Sequence, residues 1–177
     1  MGERGRSARD RLLARKIPPT EVTIRADFSP ESDAAQAEVE AAQRALAEAR
    51  ERGADLTSAQ LRLNVARDAM RPYVEVLHAV PLAPAEYEAL IDAHPPREHE
   101  QARNAIWNAD TFPPALLAAC LLQDGEPVMS ADEWAAWSKT PGAVASGEYA
   151  TLVSICVQVN DRSPSVSTGK GPGQTIS

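Results

Sequence analysis

The sequence predicts a mainly α fold: a small helical bundle with a short two-stranded β element and an antiparallel helical hairpin inserted between the strands. Three observations carry this. Hydrophobic residues make up 44% of the chain but aromatics only 5%, and alanine supplies much of the difference. That composition favours helices packed closely through small side chains, whereas a β-sandwich would draw on more Val, Ile, Thr and Tyr. Two apolar series, Ala35-Val39-Ala42-Leu46-Ala49 and Ala59-Leu63-Ala66-Met70, alternate spacings of four and three, as a heptad seam does. Period-2 alternation, the mark of a half-buried strand, is confined to two short segments on either side of these series. At 177 residues, the chain is long enough for one domain, over 20–160, to bury a core without disulfides or metal.

The first element is residues 1–19, ending at Pro18-Pro19. Residues 1–25 carry seven basic side chains against Glu3, Asp10 and Glu21, a surplus of +4 that leaves −11 on the rest of a chain of net charge −7. Such a start reads as a flexible, solvated arm, or as an arm that docks on an acidic partner or on a neighbouring copy. Thr20–Ala26 follows as a strand, with Val22, Ile24 and Ala26 alternating with polar neighbours. Ser29-Pro30-Glu31 opens a helix: serine caps, proline suits the first helical position, and Glu31 and Asp33 favour the positive end of the dipole. Gly53 stops it as a C′ glycine. Thr57-Ser58-Ala59-Gln60 has the pattern of a capping box opening a second helix. Two seams joined by a short glycine turn predict the hairpin, over 30–71. Its small seam residues bury little area, so the hairpin leans on something else. Pro72 ends the second helix, and Val74, Val76, His78 and Val80 alternate with Glu75, Leu77 and Ala79 in a second strand that pairs with the first.

From Pro81 the pattern is helical. Pro84–Ala93 places Tyr87, Leu90 and Ile91 on one face and stops at Pro95-Pro96. Glu98–Asn108 is expected as a helix with Ala102, Ala105 and Ile106 inward. Phe112–Leu122 is the most apolar run and the expected central helix, with Asp110 or Thr111 as its cap. Asp124-Gly125 turns the chain. Ser130-Ala131-Asp132-Glu133 is a capping box before a helix carrying Trp134 and Trp137. Ser146–Asn160 closes the core with Tyr149, Leu152, Val153, Cys156 and Val157 as its stripe. Residues 161–177, with almost no apolar content, read as a disordered tail.

Little of this supports catalysis. His78, His94 and His99 are the only histidines, and a helix break separates the last two. A metal site needs three or four ligands in fixed geometry, so none is expected. Cys120 and Cys156 read as small core side chains, not a disulfide framework. Ser167-Thr168-Gly169-Lys170-Gly171 carries part of a phosphate-loop pattern. It lacks the glycine five positions before the lysine, the following Ser or Thr, and the flanking strand and helix. Adjacent carboxylates such as Glu86 and Glu88 do not share a helix face. No enzyme and no cofactor are expected. The acidic net charge argues against general nucleic-acid binding. The longest apolar run, Phe112–Leu122, is far shorter than the ~20 residues of a membrane span, and no secretory h-region follows the N-terminal charges.

The stretch from Val74 to Asn160 resembles the tail assembly chaperones of siphophages that infect actinobacteria. The residues that carry the resemblance run in order. Val76-Leu77-His78-Ala79-Val80-Pro81 comes first, then Tyr87-Glu88-Ala89-Leu90-Ile91 and His94-Pro95-Pro96. Trp107-Asn108-Ala109-Asp110-Thr111-Phe112-Pro113-Pro114-Ala115-Leu116-Leu117 follows, and a Ser-Ala-Asp-Glu-Trp segment, Gly147-Glu148-Tyr149 and Val159-Asn160 close the series. The hairpin at 30–71 departs from the pattern of shorter relatives. The resemblance implies a non-enzymatic protein of the host cell cytoplasm, absent from the mature virion. It implies that the chaperone coats the tape measure protein, keeps it soluble and helps recruit tail tube subunits. It also implies a short form paired with a longer, frameshifted one, and the tube subunits would be tethered through that extended form. Gly169-Lys170 codons can form a slippery run; reading codons 168–171 and finding none would count against that site.

Partner contacts on this view fall on amphipathic helices. The candidate residues are Val39, Leu46, Leu63 and Met70 of the hairpin, and Trp134 and Trp137 of the bundle. Each has a second reading: the hairpin seam packing on itself, and the tryptophans filling a core poor in aromatics. Self-association through the hairpin stays open. The alternatives in function are a structural head–tail connector or minor tail protein retained in the virion, and a host regulator that dimerises through the hairpin.

Overall fold

Why the chain folds as it does is clearest from its helix ends and turns, seen here in a computed structural model that describes residues 7–161. The expectations for residues 1–6 and 162–177, the tail and the Gly169-Lys170 segment among them, lie outside the described residues. Those residues form eight α-helices and one four-stranded antiparallel sheet, in two compact units. One unit comprises Pro19–Ala79 and Leu121–Val128; the other comprises the described residues up to Pro18, Val80–Cys120 and those from Met129. Within the basic N-terminal segment, α1 (Ala8–Leu13) starts at a capping box between Ser7 and Asp10, and every residue of it is exposed.

In the first unit, β1 (Thr20–Arg25) pairs antiparallel with β2 (Val74–Ala79) along all six residues, Thr20 opposite Ala79 and Arg25 opposite Val74. The hairpin lies between these strands in sequence, as α2 (Pro30–Glu51) and α3 (Thr57–Met70). Ser29 caps α2 by accepting from Ser32 N at 3.2 Å, and Pro30 stands at its start. Arg25 ties the strand end to this helix start. Its Nε donates to Ser32 Oγ and to the Asp27 carbonyl, each at 2.8 Å, and it reaches Asp33 at 2.6 Å. Gly53, at φ +64°, takes the left-handed C′ position. The seam closes as the heptads predict: Val39, Ala42, Leu46, Leu63, Ala66 and Met70 form one buried cluster.

Four local expectations are corrected here. The sheet has four strands, not two: β3 (Leu121–Gln123) pairs with β2, and β4 (Glu126–Pro127) with β3. Asp124 at φ 53° and Gly125 at φ 89° form the two-residue turn between them. Positive φ at both central positions matches the right-handed twist of the strands it joins. The expected helix over Phe112–Leu122 therefore ends at Cys120. The capping box at Thr57 does not form. Asp55 lies two residues upstream and its Oδ1 accepts both the Thr57 N–H, at 3.0 Å, and its hydroxyl, at 2.7 Å, which holds the carboxyl below its usual range. On β2 the buried face is that of Leu77 and Ala79, while Val76 is 37% exposed.

In the second unit, α6 (Phe112–Cys120) is the centre, packed by α4 (Pro84–Asp92), α7 (Ala131–Lys139) and α8 (Ser146–Asn160). Phe112, Leu116, Leu117 and Cys120 of α6 are fully buried. The Ser130–Glu133 capping box opens α7 as expected, and α8 has the bounds the sequence gives it. Asn160 anchors the end of α8: its Oδ1 accepts from Leu82 N at 2.8 Å and its Nδ2 donates to the Cys156 carbonyl at 2.7 Å. The helix expected over Glu98–Asn108 is a single turn, α5 (Glu98–Gln101). Asn104, at φ 61°, ends it. Its N–H bonds the Gln101 carbonyl and that of Ala105 bonds Glu100, the two bonds of a Schellman motif. Ile106 consequently points outward, at 62% exposure. No helix among the described residues is long and apolar enough to cross a membrane.

Candidate partner-binding site

The four hairpin candidates are brought together, and they pack on each other. Val39, Leu46, Leu63 and Met70 are each at most 8% exposed. Their edges nonetheless reach one surface. Val39 and Met70 line a hollow of about 850 Å³ that the hairpin shares with Glu21, Thr23, Val74 and Val76 of the β1–β2 pair. Leu46 and Leu63 line a second, of about 330 Å³. Both hollows include Gln43 and Arg67, so they form one groove along the side of the seam. Heptad spacing explains why these side chains meet: seam residues on facing helices interdigitate along the hairpin.

The groove rim was not legible from the apolar pattern. On the hairpin it includes polar residues one step off the seam, Gln36, Gln43, Gln60 and Asn64, with Arg50 and Arg67, and Asp68 and Arg71 at the end towards the sheet. The opposite flank of the seam is closed by charge. There Arg62 donates to Glu38 across the hairpin at 2.8 and 3.0 Å.

Trp134 and Trp137 meet edge to face, with ring centroids 5.3 Å apart. Trp134 is 1% exposed and serves the core; Trp137 is half-buried. They lie in a different unit from the hairpin residues, so the six candidates do not form one patch.

The motif around Phe112 turns out to be an interlocked turn. Phe112 is stacked by Trp107, with centroids 4.4 Å apart, and met edge-on by His94 at 6.3 Å. His94 Nδ1 lies 3.0 Å from Thr111 Oγ1. The helix cap is Asn108, not Asp110 or Thr111: its Oδ1 accepts from both of their N–H groups, at 2.9 and 3.2 Å. Asp110 instead pairs with Arg97 at 2.8 Å. Buried Glu100 holds the centre, accepting from Arg97 N at 2.8 Å, the Arg97 guanidinium at 2.6 Å and Ala109 N at 3.0 Å.

The Arg97 side chain, then its backbone N–H, lower the Glu100 carboxyl to about 2, against 4.5 for a free glutamate. The folded value lies below the unfolded one. Glu100 therefore contributes stability above pH 4.5 that is lost as pH falls from 4.5 towards 2. Urea midpoints of wild type and Glu100→Gln measured across this window should converge as pH falls. A gap that stays constant with pH would show that the ionised carboxylate is not what holds the turn.

Among the described residues no group of three or more His, Cys, Asp or Glu side chains could hold a metal ion. Cys120 and Cys156 are free and fully buried. The hydrogen bond to Cys120, with burial, pushes the Cys156 thiol up. A hollow of about 520 Å³ gathers Asp110, Ser138, Lys139 and Tyr149, but the Ser138 hydroxyl donates to the Ala135 carbonyl, not to a base. Comparison with protein-family models, curated proteins and solved structures returned no match.

Proposed function

We propose that this chain is a tail assembly chaperone of a long-tailed bacteriophage, a protein that works by binding and performs no catalysis. On this proposal it coats the tape measure protein, keeps it soluble in the host cytoplasm and helps recruit tail tube subunits, and it leaves before the virion is complete. Its extended, frameshifted form would tether the tube subunits. The observation that supports the reading best is the groove along the hairpin, with its apolar floor of Val39, Leu46, Leu63 and Met70 and its polar rim. A long helical protein exposes apolar seams until it is enclosed, and a groove between two helices is a surface that can cover such a seam. Many copies making weak, repeated contacts would coat the length of the partner by effective concentration.

The test is a pull-down through an N-terminal tag, in the native gene context during tail assembly, with the co-purifying chains identified by mass spectrometry. The expected catch is a very long helical protein together with a C-terminally extended form of this chain. Recovery of neither, with the tag instead in purified particles, would make the protein a structural connector or minor tail component.

A further inference from the structure

The groove carries a charge bias that an apolar seam does not require. Seven arginines lie in the β-sheet and hairpin unit, and four of them answer to acids: Arg71 to Asp68, and three more at its ends or on the far flank. Arg25 bonds Asp33, Arg52 lies 3.6 Å from Glu48, and Arg62 bridges Glu38. Arg50 and Arg67 stand on the open flank, both exposed, with no ion pair among the described residues. The smaller hollow between them contains no carboxylate. In the larger one, Asp68 is 3.7 Å from Arg71, and Glu21 sits on the strand side. A chain of net charge −7 thus keeps, among the described residues, two cations without an ion pair on opposite rims of the hairpin groove.

We infer that the hairpin groove takes an amphipathic helix whose apolar seam is flanked on both sides by Asp or Glu. The inference rests on the proposed helix-binding function and names the chemistry of its partner. The geometry is that of a helix lying along the seam. Its apolar side chains, spaced i, i+3, i+7, meet the floor at Leu46, Leu63, Val39 and Met70. Its flanking carboxylates reach Arg50 on one rim and Arg67 on the other, while Gln43, Gln60 and Asn64 supply neutral hydrogen bonds between them. The 14 residues of α3 correspond to a groove of about 21 Å, which matches about four turns of partner helix. Charge at the rim of such a contact selects the partner and its orientation more than it adds affinity.

The full-length chain is titrated against two fluorescein-labelled synthetic helices of identical Leu/Ile seam, one flanked by Glu and one by Lys, and read by fluorescence anisotropy. The Glu-flanked helix is expected to bind roughly tenfold more tightly, with a ratio that shrinks as salt is raised. Arg50→Glu combined with Arg67→Glu should reverse the preference. Arg50→Gln with Arg67→Gln should abolish it. Both positions are exposed, and unchanged far-ultraviolet circular dichroism confirms that the variants fold. Equal binding of the two helices by wild type overturns the acidic-partner inference while leaving helix binding intact. Binding of neither overturns the groove as the partner site altogether. A groove filled by a second copy, seen as a dimer in sedimentation that the Arg50→Glu, Arg67→Glu variant dissociates, also overturns it.

Discussion

Replacing Phe112 with alanine is expected to cost roughly 3–5 kcal/mol of stability. The ring is fully buried at the start of the central helix and touches Trp107, Tyr87 and His94. Its removal leaves a cavity whose walls come from the stacked tryptophan and the surrounding helices, and the turn that bears Trp107 is fixed by Glu100 and cannot close on it. A small domain has only about 5–15 kcal/mol in total, so the loss is a large fraction. All three tryptophans, Trp107, Trp134 and Trp137, lie in this unit, so intrinsic fluorescence reports on it. A urea titration should show the midpoint of that signal falling sharply for Phe112→Ala and less for Phe112→Leu, which refills part of the space. A loss under 1 kcal/mol for the alanine variant would mean that the motif does not depend on its aromatic stack.

What the sequence made legible was local. Ser29-Pro30, the Ser130–Glu133 box and the Pro72 stop act within three or four residues, and each sets a boundary where it was expected. The pairing of β1 with β2 also follows from pattern, since two short alternating segments have few other partners. The misread elements are those where a signal competes with a stronger one. Leu121 and Leu122 extend an apolar run that fits helix or strand equally well, and only the left-handed Asp124-Gly125 pair decides for strand. Asn104 is a C′ signal hidden inside a helix-like pattern, and Glu100 reaches nine residues forward to Ala109, which no periodicity encodes. On β2, both parities carry apolar side chains, so alternation alone does not choose between Val76 and Leu77.

The candidate site shows the same division. Heptad spacing pointed to Val39, Leu46, Leu63 and Met70, which pack as one buried cluster and line the two hollows. It could not say which flank of the seam stays open, because that depends on Arg62 meeting Glu38 across the hairpin and on the sheet beside Val39 and Met70. The overlooked rim had a faint signal: Gln36, Gln43, Gln60 and Asn64 each follow a seam residue, Ala35, Ala42, Ala59 and Leu63 in turn. Trp134 follows the alternative reading, since a core with so few aromatics uses its bulk inside.

Leu63→Ala is the second substitution with a large expected effect, about 2–5 kcal/mol. The hairpin cluster contains four large aliphatic side chains, and the other buried members, Ala42 and Ala66, contribute little area. Leu63 is 3% exposed, so its truncation opens a cavity in the seam between the two helices. The hairpin is also short of intrinsic support, since α3 has no side-chain cap on its first residue and relies on Asp55 and the seam. The expected result is a lower far-ultraviolet circular dichroism midpoint in urea, together with loss of binding to the Glu-flanked helix. Arg67→Gln serves as the contrast, because it sits on the same groove but outside the seam. It should leave the unfolding midpoint within about 0.5 kcal/mol of wild type while weakening the acidic preference. If Leu63→Ala kept full stability, the heptad seam would not be the hairpin's core. If it lost stability but kept its binding, the groove floor would not be the contact surface.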